Sequence, residues 1–238
     1  VGETFSDFFS AGPDDGGRLA WGIPRTAALM GALLLVALIV QLRSDRYRPA
    51  PYWLTVVLIS IVGTLVTDWL HDDHGVSLVT TTIIFSATLA TVFGIWYSLE
   101  RTLSIHSVYR GRREWFYWLV VLVTFAFGTS AGDLLSEKAD MGYFASVMVI
   151  VGAVALVVVA RYALKVNAVL CFWLAYILTR PLGGNTGDWL SPSDLDGLGL
   201  GTTATSVIFL SVIAAIVAFL TVTHRDVIEE HGAPVDHG

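Results

Sequence analysis

The sequence predicts an all-α integral membrane protein, with seven complete transmembrane helices and the end of an eighth at the N-terminus. The chain of 238 residues is 55% hydrophobic and only 14% charged, and its mean hydropathy is +0.68. A soluble domain of this size cannot hide so much apolar surface, so lipid must solvate part of it. A motif that recurs in register predicts four parallel two-helix repeats in a single bundle.

Seven apolar stretches are each close to the ~20 residues that cross a bilayer core. We interpret them as helices because a backbone in lipid must satisfy its hydrogen bonds internally. Residues 1–9 are interpreted as the last turns of a further helix, and because no initiator Met is present we expect the numbering to start inside the native protein. The predicted spans are residues 24–42, 52–70, 76–99, 115–135, 142–160, 166–190 and 202–222.

Polar, Gly-rich or Pro-rich connections separate these stretches. Pro24 stands where the first turn of a helix tolerates proline, and Gly12 to Gly17 have the composition of a turn. The transmembrane bundle is predicted over residues 1–223, followed by a polar tail over residues 224–238. The connections, in chain order, are residues 10–22, 43–51, 71–75, 100–113, 136–141, 161–165 and 191–201.

Basic residues concentrate in alternate connections, which predicts the orientation of the bundle. The less basic side has only Arg18, Arg25 and Lys138, together with many acids. The positive-inside rule places the basic side in the cytoplasm. Both native termini, including the C-terminal tail, are therefore expected in the cytoplasm. The basic side carries Arg43, Arg46, Arg48, Arg101, Arg110, Arg112, Arg113, Arg161, Lys165 and Arg225.

The repeated motif places a tryptophan, a glycine and an aspartate at fixed spacing. Trp53 lies ten residues before Gly63 and fifteen before Asp68. Aromatic residues are expected mostly at the membrane interface, and fifteen helical residues span roughly 22 Å, so the aspartates are expected in the outer third of the membrane. The other copies are Trp118, Gly128 and Asp133, then Trp173, Gly183 and Asp188, and a shorter one at Gly2 and Asp7.

The four motif aspartates are the predicted ligand-binding residues, and they are also the predicted metal ligands. Hydroxyl and carboxylate groups lie one turn before them, and hard cations prefer such oxygen ligands. An alternative interpretation is structural, because an aspartate near a helix end often caps the helix or meets solvent. The candidate residues are Asp7, Asp68, Asp133 and Asp188, with Glu3, Thr64 and Thr129 one turn before the first three.

Arg180 is the remaining candidate in the predicted spans. A charged residue inside a membrane helix is costly and marks a functional site, and Pro181 next to it removes a backbone donor and is expected to kink the helix. We expect Arg180 to pair with one of the motif carboxylates or with Glu3. The alternative is a buried structural ion pair.

Two further clusters lie outside the motif. His71, Asp72, Asp73 and His74 have the composition of a Zn²⁺ or Mn²⁺ site, although four polar residues in a turn are also typical of a solvated loop. On the inner side, Glu100 and His106 belong to a polar segment that suggests a cytoplasmic gate or a partner contact. The alternative for that segment is a helix end facing the membrane surface.

Several classes of protein do not fit the sequence. The single cysteine, Cys171, excludes a disulfide framework and a cysteine-based metal site. A retinal protein needs a lysine in its last span, whereas the only lysines are Lys138 and Lys165 in connections. Nothing resembles a nucleophile–base pair, so an enzyme stays an open but less favoured class. Nucleic acid is not expected as a partner.

Several segments together resemble a known family over nearly the whole chain. They are Gly2-Glu3-Thr4 with Asp7, Glu100 to His106, Gly128-Thr129 with Gly132-Asp133, and Arg180-Pro181-Leu182-Gly183 with Gly187-Asp188. This pattern resembles a family of bacterial integral membrane proteins described only as "membrane-anchored protein". The resemblance implies a small polytopic bundle in a bacterial inner membrane, and it implies no activity.

The functional hypothesis is a membrane transport protein for a cation, with a divalent metal such as Mn²⁺ favoured. The alternative is a membrane scaffold or accessory subunit in which the aspartates and Arg180 form a structural network. The expected partners are the lipid bilayer, a cation substrate, and either further copies of the chain or a larger membrane complex.

Overall fold

The computed structural model describes residues 2–10, 21–44, 48–105, 111–139, 141–191 and 197–223. Within these residues the structure is helical and contains no strand. The predicted tail at 224–238 lies outside the described residues. The α-helices are α1 (Gly2–Ser10), α2 (Ile23–Arg43), α3 (Pro49–Asp68), α4 (Leu78–Glu100), α5 (Arg112–Asp133), α6 (Gly142–Tyr162), α7 (Ala168–Leu190) and α8 (Thr202–Thr223).

Among the described residues, six helices are long and apolar enough to cross a membrane. They confirm the prediction of a helical protein that lipid solvates. Helix α7 has 23 residues but is not one of the six, since Arg180, Asn185 and Asp188 interrupt its apolar sequence. The count of seven complete spans therefore stays a prediction. The six candidate spans are Ile23–Arg43, Pro49–Asp73, Leu78–Glu100, Arg112–Glu137, Gly142–Tyr162 and Thr203–Thr223.

Side chains at the helix starts help to set these boundaries. The Ser77 hydroxyl accepts a hydrogen bond from the Thr80 amide at 3.2 Å and caps α4. The Asn167 side chain accepts from the amides of Val169 and Leu170 and caps α7. Such caps satisfy amides that have no partner in the first helical turn. In α3, Pro49 occupies the first turn, where a missing N–H costs nothing.

The odd-numbered helices form an inner ring and the even-numbered helices an outer layer. Helix α1 contacts α3, α3 contacts α5, α5 contacts α7, and α7 contacts α1. On the outside, α2 packs on α3, α4 on α5, α6 on α7, and α8 on α1. Each outer helix therefore packs on the inner helix that follows it in the cycle.

The outer helices expose apolar side chains that suit a lipid environment. Leu35 in α2 is 63% exposed, Ile83 in α4 is 62% exposed and Leu156 in α6 is 70% exposed. By contrast, Ile59 in α3 and Val120 in α5 are fully buried. The outer helices thus present apolar side chains to the surroundings, and the inner helices bury theirs in the bundle. This is the pattern expected for a protein in lipid.

A buried aromatic layer lies among the inner helices and α4. Trp96, Trp118 and Trp173 are at most 4% exposed, and Trp96 and Trp173 pack edge to face at 5.8 Å between ring centroids. The hydroxyls of Tyr52 and Tyr117 lie 2.5 Å apart. These side chains therefore pack against helices rather than against lipid. Their depth in the membrane, and with it the depth of the aspartates, stays a prediction.

Glycine makes close helix contacts possible at three steps of the inner ring. A Cβ on Gly63 would lie 2.9 Å from Phe125 Cβ and 3.1 Å from the Ala126 nitrogen. Gly2 meets Ser60 in the same manner, and Gly128 meets Arg180. In each case the motif glycine contacts the residue three positions before the motif glycine of the next inner helix. Small residues allow this approach between membrane helices.

Replacing Gly63 by alanine is expected to destabilise the protein. The new Cβ would overlap α5 backbone and Phe125, and overpacking of this kind costs about 1–3 kcal/mol. The matched control is Gly94→Ala in α4, where a Cβ meets no atom within 4 Å. Thermal unfolding of the purified variants in detergent measures both. Equal midpoints for the two variants would contradict the close contact.

Candidate functional site

The guanidinium of Arg180 lies at the junction of three inner helices. Arg180 is in α7 and is 6% exposed. Its Nη2 donates hydrogen bonds to the hydroxyls of Thr64 in α3 and Thr129 in α5, the latter at 2.7 Å. The two threonine oxygens lie 3.3 Å apart. One side chain therefore joins equivalent positions of the second and third motif copies.

The residues around Arg180 explain how α5 and α7 accommodate it. A Cβ on Gly128 would overlap the Cγ of Arg180, so only glycine leaves room for the side chain to pass. Gly184, one turn further along α7, would bring a Cβ to 3.2 Å from Nη1. The guanidinium carbon lies 5.6 Å from the centroid of the Phe125 ring, within the range of a cation–π interaction. Pro181 is buried beside it, and α7 continues through this proline to Leu190.

Three motif aspartates occupy equivalent, half-buried positions one turn beyond this junction. Asp68, Asp133 and Asp188 end or nearly end α3, α5 and α7. The hydroxyl of Ser6 in α1 donates to Asp68 Oδ2 at 3.3 Å, which links the first two inner helices. The side chains of Asp7 and Glu3 lie outside the described residues. Among the described side chains, no group of three His, Cys, Asp or Glu residues could hold a metal ion.

Helices α3 and α5 continue as five-residue π-helical turns directly after their motif aspartates. The turns are Trp69–Asp73 and Leu134–Lys138. The sequence analysis predicted that these helices end before connections that start at residues 71 and 136. The helical structure instead continues to residues 73 and 138. Isolated π-turns occur frequently at functional sites because they widen the helix and change the partners of carbonyl groups. Here they follow the same motif position in two copies.

Two buried polar residues that the sequence did not single out also join the inner helices. Asn185 in α7 is 1% exposed, and its Nδ2 donates to the Gly132 carbonyl at 3.4 Å. The Thr67 hydroxyl lies 3.2 Å from the Gly63 carbonyl and 3.1 Å from the Ala126 carbonyl in α5. Asn185 could have been noticed in the sequence as an amide side chain inside a predicted span, three residues before Asp188.

The predicted histidine cluster closes the turn after α3. His71 Nδ1 lies 2.8 Å from the Val76 carbonyl, and His74 Nδ1 lies 3.0 Å from the Trp69 carbonyl. The rings of His74 and Trp69 pack at 4.2 Å between centroids. Asp72 and Asp73 are exposed. These contacts favour the turn interpretation, and the described residues show no metal-ligand group here.

Glu100 joins the end of α4 to the start of α5. Its Oε2 lies 2.7 Å from Arg113 Nε, and its Oε1 lies 3.2 Å from Arg112 Nη2. Arg101 follows with a positive φ of 55° and ends the helix. The predicted site residue His106 lies outside the described residues. Glu100 therefore forms ion pairs that connect α4 to α5.

The fold and the site together define a helical membrane protein whose inner helices meet at one buried arginine. Its sequence contains four copies of one unit. The chain belongs to the family described as Repeat of Unknown Function (DUF347), whose model matches residues 1–47, 51–102, 116–167 and 171–226. No curated protein and no solved structure matches the chain. The matches support the prediction of an internal repeat in a family without an established activity.

A double-mutant cycle on Arg180 and its threonine partners is expected to show strong coupling. Thr64→Val or Thr129→Val removes an acceptor for a charged donor, which lowers the free energy of unfolding by about 1.5–3 kcal/mol. In an Arg180→Met background the same substitutions are expected to cost far less, because the charged donor is gone. Chemical or thermal unfolding in detergent measures the four corners of each cycle.

The control for this cycle is Thr124→Val in α5. Thr124 is fully buried and its hydroxyl has no hydrogen-bond partner among the described residues, so valine is expected to be neutral or stabilising. A Thr64→Val cost that persists unchanged without Arg180 would show that the hydroxyl acts independently of the guanidinium.

Proposed function

We propose that the protein is a membrane transport protein for a cation, with a divalent metal such as Mn²⁺ as the favoured cargo. Asp7, Asp68, Asp133 and Asp188 serve as its repeated binding groups. The observation that carries the proposal is the half-burial of the three described aspartates at equivalent positions on adjacent inner helices. Carboxylate oxygens are ligands that hard cations prefer.

The threonine hydroxyls beneath the aspartates extend this site with further oxygen ligands. Thr64 and Thr129 lie four residues before Asp68 and Asp133, about 6 Å along a helix. At present both hydroxyls accept from Arg180. In the proposed mechanism the guanidinium acts as a resident cation on these oxygens. A substrate cation competes with it for them, and its passage requires Arg180 to withdraw from Thr64 and Thr129.

We also propose an arrangement of the four copies in the membrane. The helix contacts support four parallel two-helix repeats around a pseudo-fourfold axis, with the aspartates at one level. The loop charges support aspartate-bearing ends that face outward and a cytoplasmic C-terminus. The bilayer is taken to be a bacterial inner membrane, in keeping with the sequence resemblance.

A second candidate function is a membrane scaffold or accessory subunit, alone as a homo-oligomer or within a larger complex. Two observations favour it. Arg180 donates to hydroxyls of the protein itself. No three acidic or metal-ligating side chains come together among the described residues. On this alternative the polar contacts serve to hold the inner helices in register.

Asp133→Asn and Asp188→Asn are expected to abolish metal transport. Each variant removes a negative charge and leaves the shape of the side chain, so a hard cation loses a ligand. Protein reconstituted in liposomes with an internal Mn²⁺-sensitive dye measures uptake, and we expect each variant to reduce the initial rate by at least tenfold. The control is Asp73→Asn, an exposed aspartate in the outer turn outside the motif, which is expected to transport at the wild-type rate.

Thermal unfolding with and without Mn²⁺ separates the two candidate functions. A transporter that binds Mn²⁺ through Asp133 gains stability with added metal, and Asp133→Asn loses that gain. Wild-type protein that shows neither uptake nor a metal-dependent increase in midpoint would refute the transport proposal for this metal. A loss of stability in the Asn variants without any metal effect would then support the scaffold.

A further inference from the structure

Three tyrosine side chains from three inner helices meet near the end of the bundle at which α3 and α5 begin. This is a basic end, since Tyr52 and Tyr117 follow Arg48 and Arg112 by four and five residues. The hydroxyls of Tyr52 in α3 and Tyr117 in α5 lie 2.5 Å apart. A side-chain hydrogen bond also joins Tyr117 to Tyr176 in α7. Tyr117 therefore connects side chains of both neighbouring inner helices.

The positions of these tyrosines follow the pattern of the arginine contact. Tyr52 and Tyr117 each directly precede a motif tryptophan, so they are equivalent residues of two copies. In the α7 copy that position is Phe172, which has no hydroxyl, and Tyr176 one turn later supplies one. The arginine contact is built in the same manner, with two equivalent threonines on α3 and α5 and one α7 residue from another position.

The tyrosine contact and the arginine contact lie at different levels of the same helices. Tyr52 stands twelve residues before Thr64, and Tyr117 stands twelve residues before Thr129. Twelve helical residues extend about 18 Å. The motif aspartates follow four residues beyond the threonines. Along α3 and α5 the order from the basic end is therefore tyrosine, arginine contact and aspartate.

Trp173 of α7 holds two of the tyrosines in place. Its ring centroid lies 6.2 Å from that of Tyr117 and 5.8 Å from that of Tyr176. The indole is 3% exposed, and its Nε1 donates to the Leu103 carbonyl at 2.9 Å. Leu103 belongs to the connection between α4 and α5. An inner helix and a connection thus both restrain the tyrosine cluster.

We propose that Tyr52, Tyr117 and Tyr176 form a second constriction of the cation path, on the basic side of the arginine contact. This inference rests on the transport function proposed above. In the closed path the hydroxyls hydrogen-bond to one another, and the passage of an ion requires them to separate. They then offer neutral oxygen ligands to a hard cation. Without a negative charge they hold the ion less strongly than the aspartates do, which allows it to leave.

A purely structural role is the alternative that a test must exclude. Hydrogen bonds between tyrosines hold helices together whether or not an ion passes. In that case the loss of a hydroxyl lowers the unfolding midpoint and leaves the interior closed to ions. Access of an ion to a buried position separates the two roles, because only a constriction controls it.

A buried cysteine beyond the tyrosines reports this access. In a Cys171→Ser background, Val121→Cys places a thiol four residues beyond Tyr117 and about 6 Å along α5, on the same helix face. Val121 is fully buried. The probe is Ag⁺ in chloride-free buffer, applied to protein in lipid nanodiscs so that it reaches both ends of the bundle. The blocked fraction is measured by the loss of maleimide labelling after denaturation.

Tyr117→Phe is expected to speed the reaction of the thiol at 121 with Ag⁺ about tenfold. The substitution keeps the ring and removes the hydroxyl that takes part in both hydrogen bonds. Tyr176→Phe leaves the contact between Tyr52 and Tyr117, so a smaller acceleration is expected. An unchanged rate at 121 in both variants would overturn the proposal.

Two matched controls exclude a general loosening of the protein. Val120→Cys reports on an equally buried residue that is rotated by about 100° around α5, and its thiol is expected to react slowly in every variant. Tyr97→Phe removes a hydroxyl from a tyrosine of α4 that is 53% exposed, and it is expected to change neither rate. Equal acceleration at 120 and 121 would show a structural contact and refute the constriction.

Mn²⁺ uptake by liposomes separates this proposal from the proposed function. If the wild-type protein transports Mn²⁺ and Tyr117→Phe leaves access to position 121 unchanged, the transport proposal stands and the constriction is wrong. If the wild-type protein transports no Mn²⁺ and Tyr117→Phe still opens access to 121 alone, the constriction stands and the assigned cargo is wrong.

Discussion

The hydrogen bonds from one guanidinium to two threonine hydroxyls hold the inner helices of this protein together. An arginine inside a membrane helix is costly, and the cost falls when polar groups of the bundle surround it. Thr64 and Thr129 supply those groups from α3 and α5, and α7 supplies Arg180. Both threonines occupy the same position of the repeated motif, whereas Arg180 occurs in only one copy. One arginine therefore donates hydrogen bonds to equivalent residues of two copies. The contact requires Gly128, because a larger residue would overlap the arginine stem.

The close approach of the inner helices follows from the same physical constraint. Lipid is as apolar as leucine, so burial of apolar surface does little to hold membrane helices together, and van der Waals contact and hydrogen bonds matter more. Glycine at 63 and 128 permits short interhelical distances, and the Thr67 hydroxyl reaches a carbonyl of α5 across that gap. Among the described residues, the exposed faces of the outer helices show no side-chain hydrogen bond to another helix. The outer helices cover the inner ring and present leucine, isoleucine and valine to lipid.

The sequence predicts the helices more fully than their contacts. The second helix was predicted at residues 24–42 and spans Ile23–Arg43, because length and hydropathy alone define a span. Arg180 was also identified, since a charge in an apolar stretch is visible without a structure. Its expected pairing with a carboxylate stays a prediction, since the side chains of Asp7 and Glu3 lie outside the described residues, and the described contacts add Thr64 and Thr129. Spacing gives the level of a residue along its helix. The rotation of that helix depends on neighbours that the sequence does not specify, and for the same reason Asn185 was missed.

The strength of the arginine contact sets a condition that the transport proposal must meet. Hydrogen bonds to a charged group contribute about 1.5–3 kcal/mol each, so withdrawing the guanidinium from both hydroxyls costs about 3–6 kcal/mol. Moving a two-state equilibrium from 1:99 to 99:1 takes a ligand that prefers the second state by about 10⁴-fold, or about 5.5 kcal/mol. A weakly bound monovalent ion on one carboxylate cannot supply this difference. Several carboxylates acting on one divalent ion can, which is why the equivalence of the motif aspartates matters more to the transport hypothesis than the acidity of any one of them.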